Sequence, residues 1–106
     1  MNALNSILIE GNVIADPEKH ERPRGSTVCS FKIASSRFYR QDETTKEEKA
    51  IFDIEAWAKL AESCTVHCTE GRGVRVVGRL KQCEDGSIKV VAEHVEFKPV
   101  LNKKSS

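Results

Sequence analysis

In the stretch "RFYR", Phe38 and Tyr39 lie between Arg37 and Arg40, in a chain of 106 residues of which aromatics make up only 6%. A core aromatic is normally flanked by apolar residues at strand or helix spacing, whereas here the apolar pattern ends and charge begins. The pair is therefore expected near the surface, as flat rings beside positive charge. Trp57, the single tryptophan, closes the stretch "AIFDIEAW", and Lys59 follows two residues later. Strict alternation puts Phe52, Ile54 and Ala56 on one face of that stretch and Ile51, Asp53, Glu55 and Trp57 on the other. Burying a carboxylate without a partner is costly, so the face with Asp53 and Glu55 is expected to be wetted and Trp57 partly exposed.

A second set of side chains points to different chemistry. Cys64, His67 and Cys68 fall within about one helical turn, and histidine with cysteine suits zinc or a thiolate nucleophile. The zinc reading needs a fourth ligand such as Cys83, and no Cys-x-x-Cys knuckle supports it. The nucleophile reading lacks an orienting group and an oxyanion donor. The same positions, with Leu60, form an apolar helix stripe, where cysteine serves as a small hydrophobe. No catalysis, metal or cofactor is expected.

Composition narrows the setting. The length suits one domain, and a formal net charge of +1 with 31% charged residues demands no acidic partner, so any basic surface must come from local arrangement. No apolar run approaches the roughly 20 residues of a membrane helix, and "MNALNSILIEGN" lacks a signal-peptide pattern. A cytoplasmic protein with reduced thiols and no membrane attachment is expected.

These residues need a scaffold. "NSILIEGNVI" reads as a first strand, stopped near Pro17 in "ADPE", and "RPRGSTV" is a second break. "VCSFKIASS" alternates as a second strand, Cys29, Phe31 and Ile33 on one side and Ser30, Lys32 and Ala34 on the other. "RQDETTKEEK", without an apolar residue, reads as the mobile tip of a long hairpin, and "AIFDIEAW" is the third strand. From Lys59 the period becomes helical through Leu60, Cys64 and His67 or Cys68, with Gly71 as the expected cap. "GVRVVGRLKQ" is a fourth strand, with Val74, Val76, Gly78 and Leu80 inward and Arg75, Arg79 and Lys81 opposite. The tight turn "EDGS" leads into a fifth strand, "SIKVVAEHVEF". The division is a folded domain over residues 1–99 and a short polar tail over 100–106 that frays. Five strands with one helix between the third and fourth is the chain order of an all-β OB-fold, a Greek-key barrel whose open face binds oligonucleotides and oligosaccharides.

Four stretches in order, "NSILIEGNVIADPE", "FKIASS", "AWAKLAE" and "VRVVGRL", resemble the bacterial single-stranded DNA-binding protein family, from about Asn5 to Phe97. The resemblance implies an OB-fold that coats single-stranded DNA without sequence preference, in replication, recombination and repair, commonly as a homotetramer. It places the family's stacking aromatics on Tyr39 and Trp57 and a basic position on Lys59. Bases stacked on rings and phosphates beside cations explain "RFYR". The expected DNA-binding residues are Trp57, Tyr39, Phe38, Lys32, Arg37, Arg40, Lys59, Arg75, Arg79 and Lys81. Alternation puts Phe38 on the face of Lys32; Tyr39 is preferred there on the expectation of a twist or bulge.

The chain also departs from the family pattern. Ile51 stands where another aromatic is common, "QCEDGS" has none, and Asp53 and Glu55 lie on the expected DNA face. Weaker binding or a smaller footprint is expected. Family members usually carry an acidic tail where this sequence stops at "KPVLNKKSS", either through truncation or because it is a compact paralogue, and tail-mediated recruitment of replication and repair proteins is not expected. Exposed barrel edges imply self-association, a tetramer by resemblance, with a dimer open. The rival readings are a dimeric primosome-type accessory protein and an RNA-binding OB module.

Overall fold

The computed structural model describes residues 2–100, apart from the side chain of Arg24. In chain order the elements are β1 (Ile7–Val13), β2 (Glu18–Glu21), a 3₁₀ turn (Pro23–Gly25), β3 (Thr27–Gln41), β4 (Thr44–Trp57), α1 (Ala58–His67), β5 (Gly73–Gln82) and β6 (Ile88–Phe97). The sheet runs β1-β5-β6-β4-β3-β2, and β1 also pairs with β3 through Asn12–Ala34 and Val13–Ile33. That last pairing closes a five-stranded barrel, antiparallel except where β4 meets β6. The OB-fold expectation holds, with one addition: "EKHE" forms a short strand on the outer edge of β3.

Alternation builds the core. Cys29, Phe31 and Ile33 of β3, Ile54 and Ala56 of β4, Val74 and Val76 of β5, and Val90, Ala92 and Val95 of β6 all turn inward. Helix α1 contributes Ala61 and Cys64, with Cys68 just beyond its end. The close approach of β5 to β6 demands glycine at position 78, where a Cβ would stand 2.1 Å from the Val91 carbonyl oxygen. Here β6 carries the extra residue of a bulge, Val77 facing His94 and Gly78 facing Ala92.

Three expectations need correction. The segment expected as a mobile tip is strand almost throughout: β3 runs to Gln41 and β4 starts at Thr44, joined by Asp42 and Glu43 at positive φ (54° and 61°). Two residues of that conformation match the strand twist and let the hydrogen-bond ladder continue, so polarity marked exposure rather than irregular structure. The helix ends earlier than expected, capped by Cys68, whose N–H bonds the Cys64 carbonyl. Gly71 instead takes a left-handed turn (φ 91°) and donates its N–H to the Val13 carbonyl at 2.7 Å, tying the turn before β5 to the end of β1. Leu80 keeps the inward parity but is 44% exposed, because the β5–β6 hairpin runs past the end of the core there. Beyond Val100, the tail lies outside the described residues.

Candidate nucleic-acid interface

One unbroken register governs the long β3–β4 hairpin, from Val28 opposite Trp57 to Gln41 opposite Thr44. Because side chains alternate with period two, Ser30, Lys32, Ala34, Ser36, Phe38 and Arg40 share their face with Trp57, Glu55, Asp53, Ile51, Lys49 and Glu47. The bulge that would have turned Tyr39 toward Lys32 is absent. Tyr39 therefore takes the opposite face, where the Arg37 guanidinium lies 5.0 Å over its ring. Phe38, 65% exposed, is the ring that continues the Trp57 face.

The same face crosses the barrel. Ser30, Glu55, Val91 and Arg79 form one row over β3, β4, β6 and β5. Lys32, Asp53 and Lys89 line a groove of about 400 Å³, with Asp16, Glu18 and His20 on its β2 side. Lys59 is exposed on the first turn of α1. Arg75 sits farther down β5, held between Glu10 of β1 and Glu96 of β6.

Most of these cations are already engaged. Lys32 pairs with Asp53, Arg37 with Glu48, Arg79 with Glu93, Lys81 with Glu55, and Arg75 with two carboxylates. Of the seven basic residues expected at the site, Arg40 and Lys59 alone have no ion-pair partner among the described residues.

Glu55 is the main correction. Expected on a wetted face, it is only 6% exposed. Its Oε1 accepts from Trp57 Nε1 at 3.1 Å and from Lys81 Nζ at 3.2 Å. Burial pushes its carboxyl upward, but the two hydrogen bonds and the Lys81 and Lys89 charges outweigh that and hold it below the ordinary 4.5. The alternation was right and the inference from it was not, because the Trp57 indole and Lys81 from β5 offset the cost of burying the carboxylate. Asp53, half-buried, is satisfied by Lys32.

The strand-to-helix junction beside Trp57 is strained. Ala58 adopts φ 59°, a left-handed conformation that costs an alanine about 1–2 kcal/mol. Since glycine adopts it freely but loses more entropy on folding, Ala58→Gly is expected to raise stability by about 0.5–1 kcal/mol. A higher denaturant midpoint at unchanged slope is the expected observation; a lower midpoint would refute the strain.

Neither the metal nor the nucleophile geometry forms. Cys64 and Cys68 are buried in the core, while His67 is exposed and rests on the Phe97 ring at 5.1 Å. No cluster of three or more His, Cys, Asp or Glu side chains suited to a metal occurs among the described residues. Nor is any described helix long and apolar enough to cross a membrane.

A barrel of this topology, with a ring-bearing face on β3 and β4, can be compared with known proteins. The family model described as "Single-strand binding protein family" matches residues 4–98. The chain belongs to that family. It is 32% identical over 102 residues to a single-stranded DNA-binding protein of Aquifex aeolicus, covering 89% of this chain and 69% of the relative. Against the single-stranded DNA-binding protein of Corynebacterium glutamicum it is 38% identical over 80 residues, covering 73% of this chain and 36% of the relative. The chain thus spans about a third to two thirds of the curated relatives it matches. In fold it is similar to the single-stranded DNA-binding protein of Plasmodium falciparum solved with single-stranded DNA: TM-score 0.81, 20% identity, 93% of this chain and 98% of that one covered.

On this ring-bearing face, sequence reasoning missed three groups. Arg22, from the break before the 3₁₀ turn, lies 5.1 Å over the Trp57 ring. Lys49 enters the face only because the ladder runs through the supposed loop, and Lys89 enters through the groove. Arg22 carried no local signal, since its partner lies 35 residues away in β4.

Proposed function

We propose that the protein binds single-stranded DNA without sequence preference and keeps exposed strands extended and protected during replication, recombination and repair. The observation that carries this reading is the uninterrupted β3–β4 register, which sets Trp57, Ile51 and Phe38 on one face with Lys32, Lys49 and Arg40. Trp57 and Phe38, at the two ends of the hairpin face, meet bases at separate points along an extended strand, and the cations between them meet phosphates. The protein acts by binding, without catalysis or cofactor, in the cytoplasm, as a homo-oligomer for which the family favours a tetramer over a dimer.

The test is fluorescence of the single tryptophan during titration with long oligothymidine, duplex DNA and oligouridine, beside a gel shift. The expected result is strong quenching by oligothymidine and little by duplex. Because five of the seven expected cations are held by carboxylates, the salt slope is expected to be shallow. Phosphates neutralised by the five cations named above that have no ion-pair partner among the described residues, Arg22, Arg40, Lys49, Lys59 and Lys89, give about −3.5, against about −7 if all ten were released to the DNA. A blank gel shift with oligothymidine would refute the reading, and equal affinity for oligouridine would favour the RNA-binding alternative.

The two rings of "RFYR" separate in the same assay. Phe38→Ala is expected to weaken oligothymidine binding more than Tyr39→Ala, since Phe38 shares the Trp57 face. The reverse order would mean that the strand passes onto the Arg37–Tyr39 side of the hairpin.

A further inference from the structure

We propose that Glu55 and Arg22 are the positioning residues of the stacking site, holding the Trp57 indole as a platform with one face open to a base. The inference rests on the single-stranded DNA reading above and deepens it. An exposed ring at a strand end turns about two side-chain bonds, and a base that stacks on it must first freeze that motion. Here the ring is already fixed in two directions. At its edge, the Glu55 carboxylate takes the indole N–H at 3.1 Å, and the same oxygen takes Lys81 Nζ at 3.2 Å. Over one face, the Arg22 guanidinium lies 5.1 Å from the ring centroid.

Glu55 is itself buried: it is 6% exposed, in a row with Ser30 on β3, Val91 on β6 and Arg79 on β5. A carboxylate buried in that row and bonded to Lys81 of β5 can orient a ring that lies two residues along its own strand. Arg22, exposed beside the covered face, is placed to meet the phosphate next to the stacked base. A carboxylate on a DNA-binding face thus favours binding, although its charge alone would oppose phosphate. Asp53, whose one ion-pair partner among the described residues is Lys32, serves as the internal control.

The test compares Glu55→Gln, Glu55→Leu, Asp53→Asn and Arg22→Ala in the full chain. Each variant is read by Trp57 fluorescence anisotropy without DNA and by oligothymidine titration over a range of salt. Glutamine keeps an oxygen acceptor for the indole N–H but removes the charge. Glu55→Gln is therefore expected to retain the parent anisotropy and quenching, with a salt slope steeper by about 0.7 as Lys81 is released. Glu55→Leu removes the acceptor at similar volume. It is expected to lower the anisotropy and to bind about tenfold more weakly than Glu55→Gln, a loss within the range of one stacked base. Asp53→Asn is expected to tighten binding with the anisotropy unchanged.

Arg22→Ala, in an exposed connection that adds no folding hazard, is expected to lower the anisotropy and flatten the slope by about 0.7. Glu55→Leu binding as tightly as Glu55→Gln, at parent anisotropy, would overturn the role of Glu55. Should Glu55→Leu fail to fold, a Trp57 indole N–H in the parent that exchanges with water as fast as that of free tryptophan would overturn it equally. Arg22→Ala binding more tightly than the parent would show that the guanidinium blocks the stacking face, and would overturn the role of Arg22. If the parent itself does not bind, the single-stranded DNA reading fails, while the anisotropies still report whether Glu55 and Arg22 hold the ring.

Discussion

Trp57→Ala is expected to weaken binding to long oligothymidine by about 1–3 kcal/mol, or 5- to 150-fold, the contribution of one stacked base. The upper part of that range applies if the ring is already immobilised, because a base stacking on it then meets a surface that has lost its rotational freedom. Trp57 is half-buried, opposite Val28, with its N–H bonded to Glu55 and Arg22 over one face. Removing the indole also leaves Glu55 with Lys81 as its remaining hydrogen-bond partner. The single tryptophan is lost in this variant, so affinity is read from the anisotropy of a dye-labelled oligothymidine, with far-ultraviolet circular dichroism to verify the barrel. Binding within twofold of the parent would remove Trp57 from the DNA path.

Ile33→Ala is expected to have the largest effect on stability. Ile33 is fully buried and stands where the barrel closes, paired with Val13 across the β1–β3 seam and with Phe52 on β4. Truncating a buried isoleucine costs about 2–5 kcal/mol, the removed methylenes plus the cavity they leave. The strands at a closure are held from both sides and collapse poorly into a void, which favours the upper half of that range. In a domain of this size the loss lowers Tm by roughly 10 °C or more. Thermal unfolding at fixed protein concentration checks it, since self-association would make Tm concentration-dependent. A loss below about 1 kcal/mol would mean that the seam repacks around the smaller side chain.

The closure and the platform are linked through one strand. Ile33 and Phe31 turn inward from β3 while Ser30 and Lys32 between and beside them face the site, so the packing that fixes the core also fixes the outer face. A barrel loosened at Ile33 is therefore expected to lose binding in proportion to the unfolded fraction, whereas Trp57→Ala loses it with the fold intact. Comparing the two variants separates a folding defect from a missing contact.

Several features were legible in the sequence because they depend on near neighbours. Alternation in "VCSFKIASS" and "AIFDIEAW" gave the inward sets Cys29, Phe31, Ile33 and Phe52, Ile54, Ala56, since side-chain direction in a strand is settled by the pleat. The change of period after Lys59 located the helix, and the order of strands about it gave the barrel. The same local rule, applied without a bulge, placed Phe38 with Lys32. Preferring Tyr39 for that face required an irregularity that the constant β3–β4 register does not contain.

What the tertiary structure alone decided is which charges are spent and which ring is held. The partners of Glu55, Lys32 and Trp57 come from residues 21 to 35 positions away in the chain, apart from the indole beside Glu55. Composition states only that acids and bases nearly balance, 16 against 17. Whether a given lysine meets a phosphate or a carboxylate depends on strand register and barrel closure, because a Coulomb or hydrogen-bond contact is set by distances of a few ångströms that chain order does not specify. The residue types determined that this is a barrel with rings and cations on its surface, and the fold determined that a buried acid holds the ring in place.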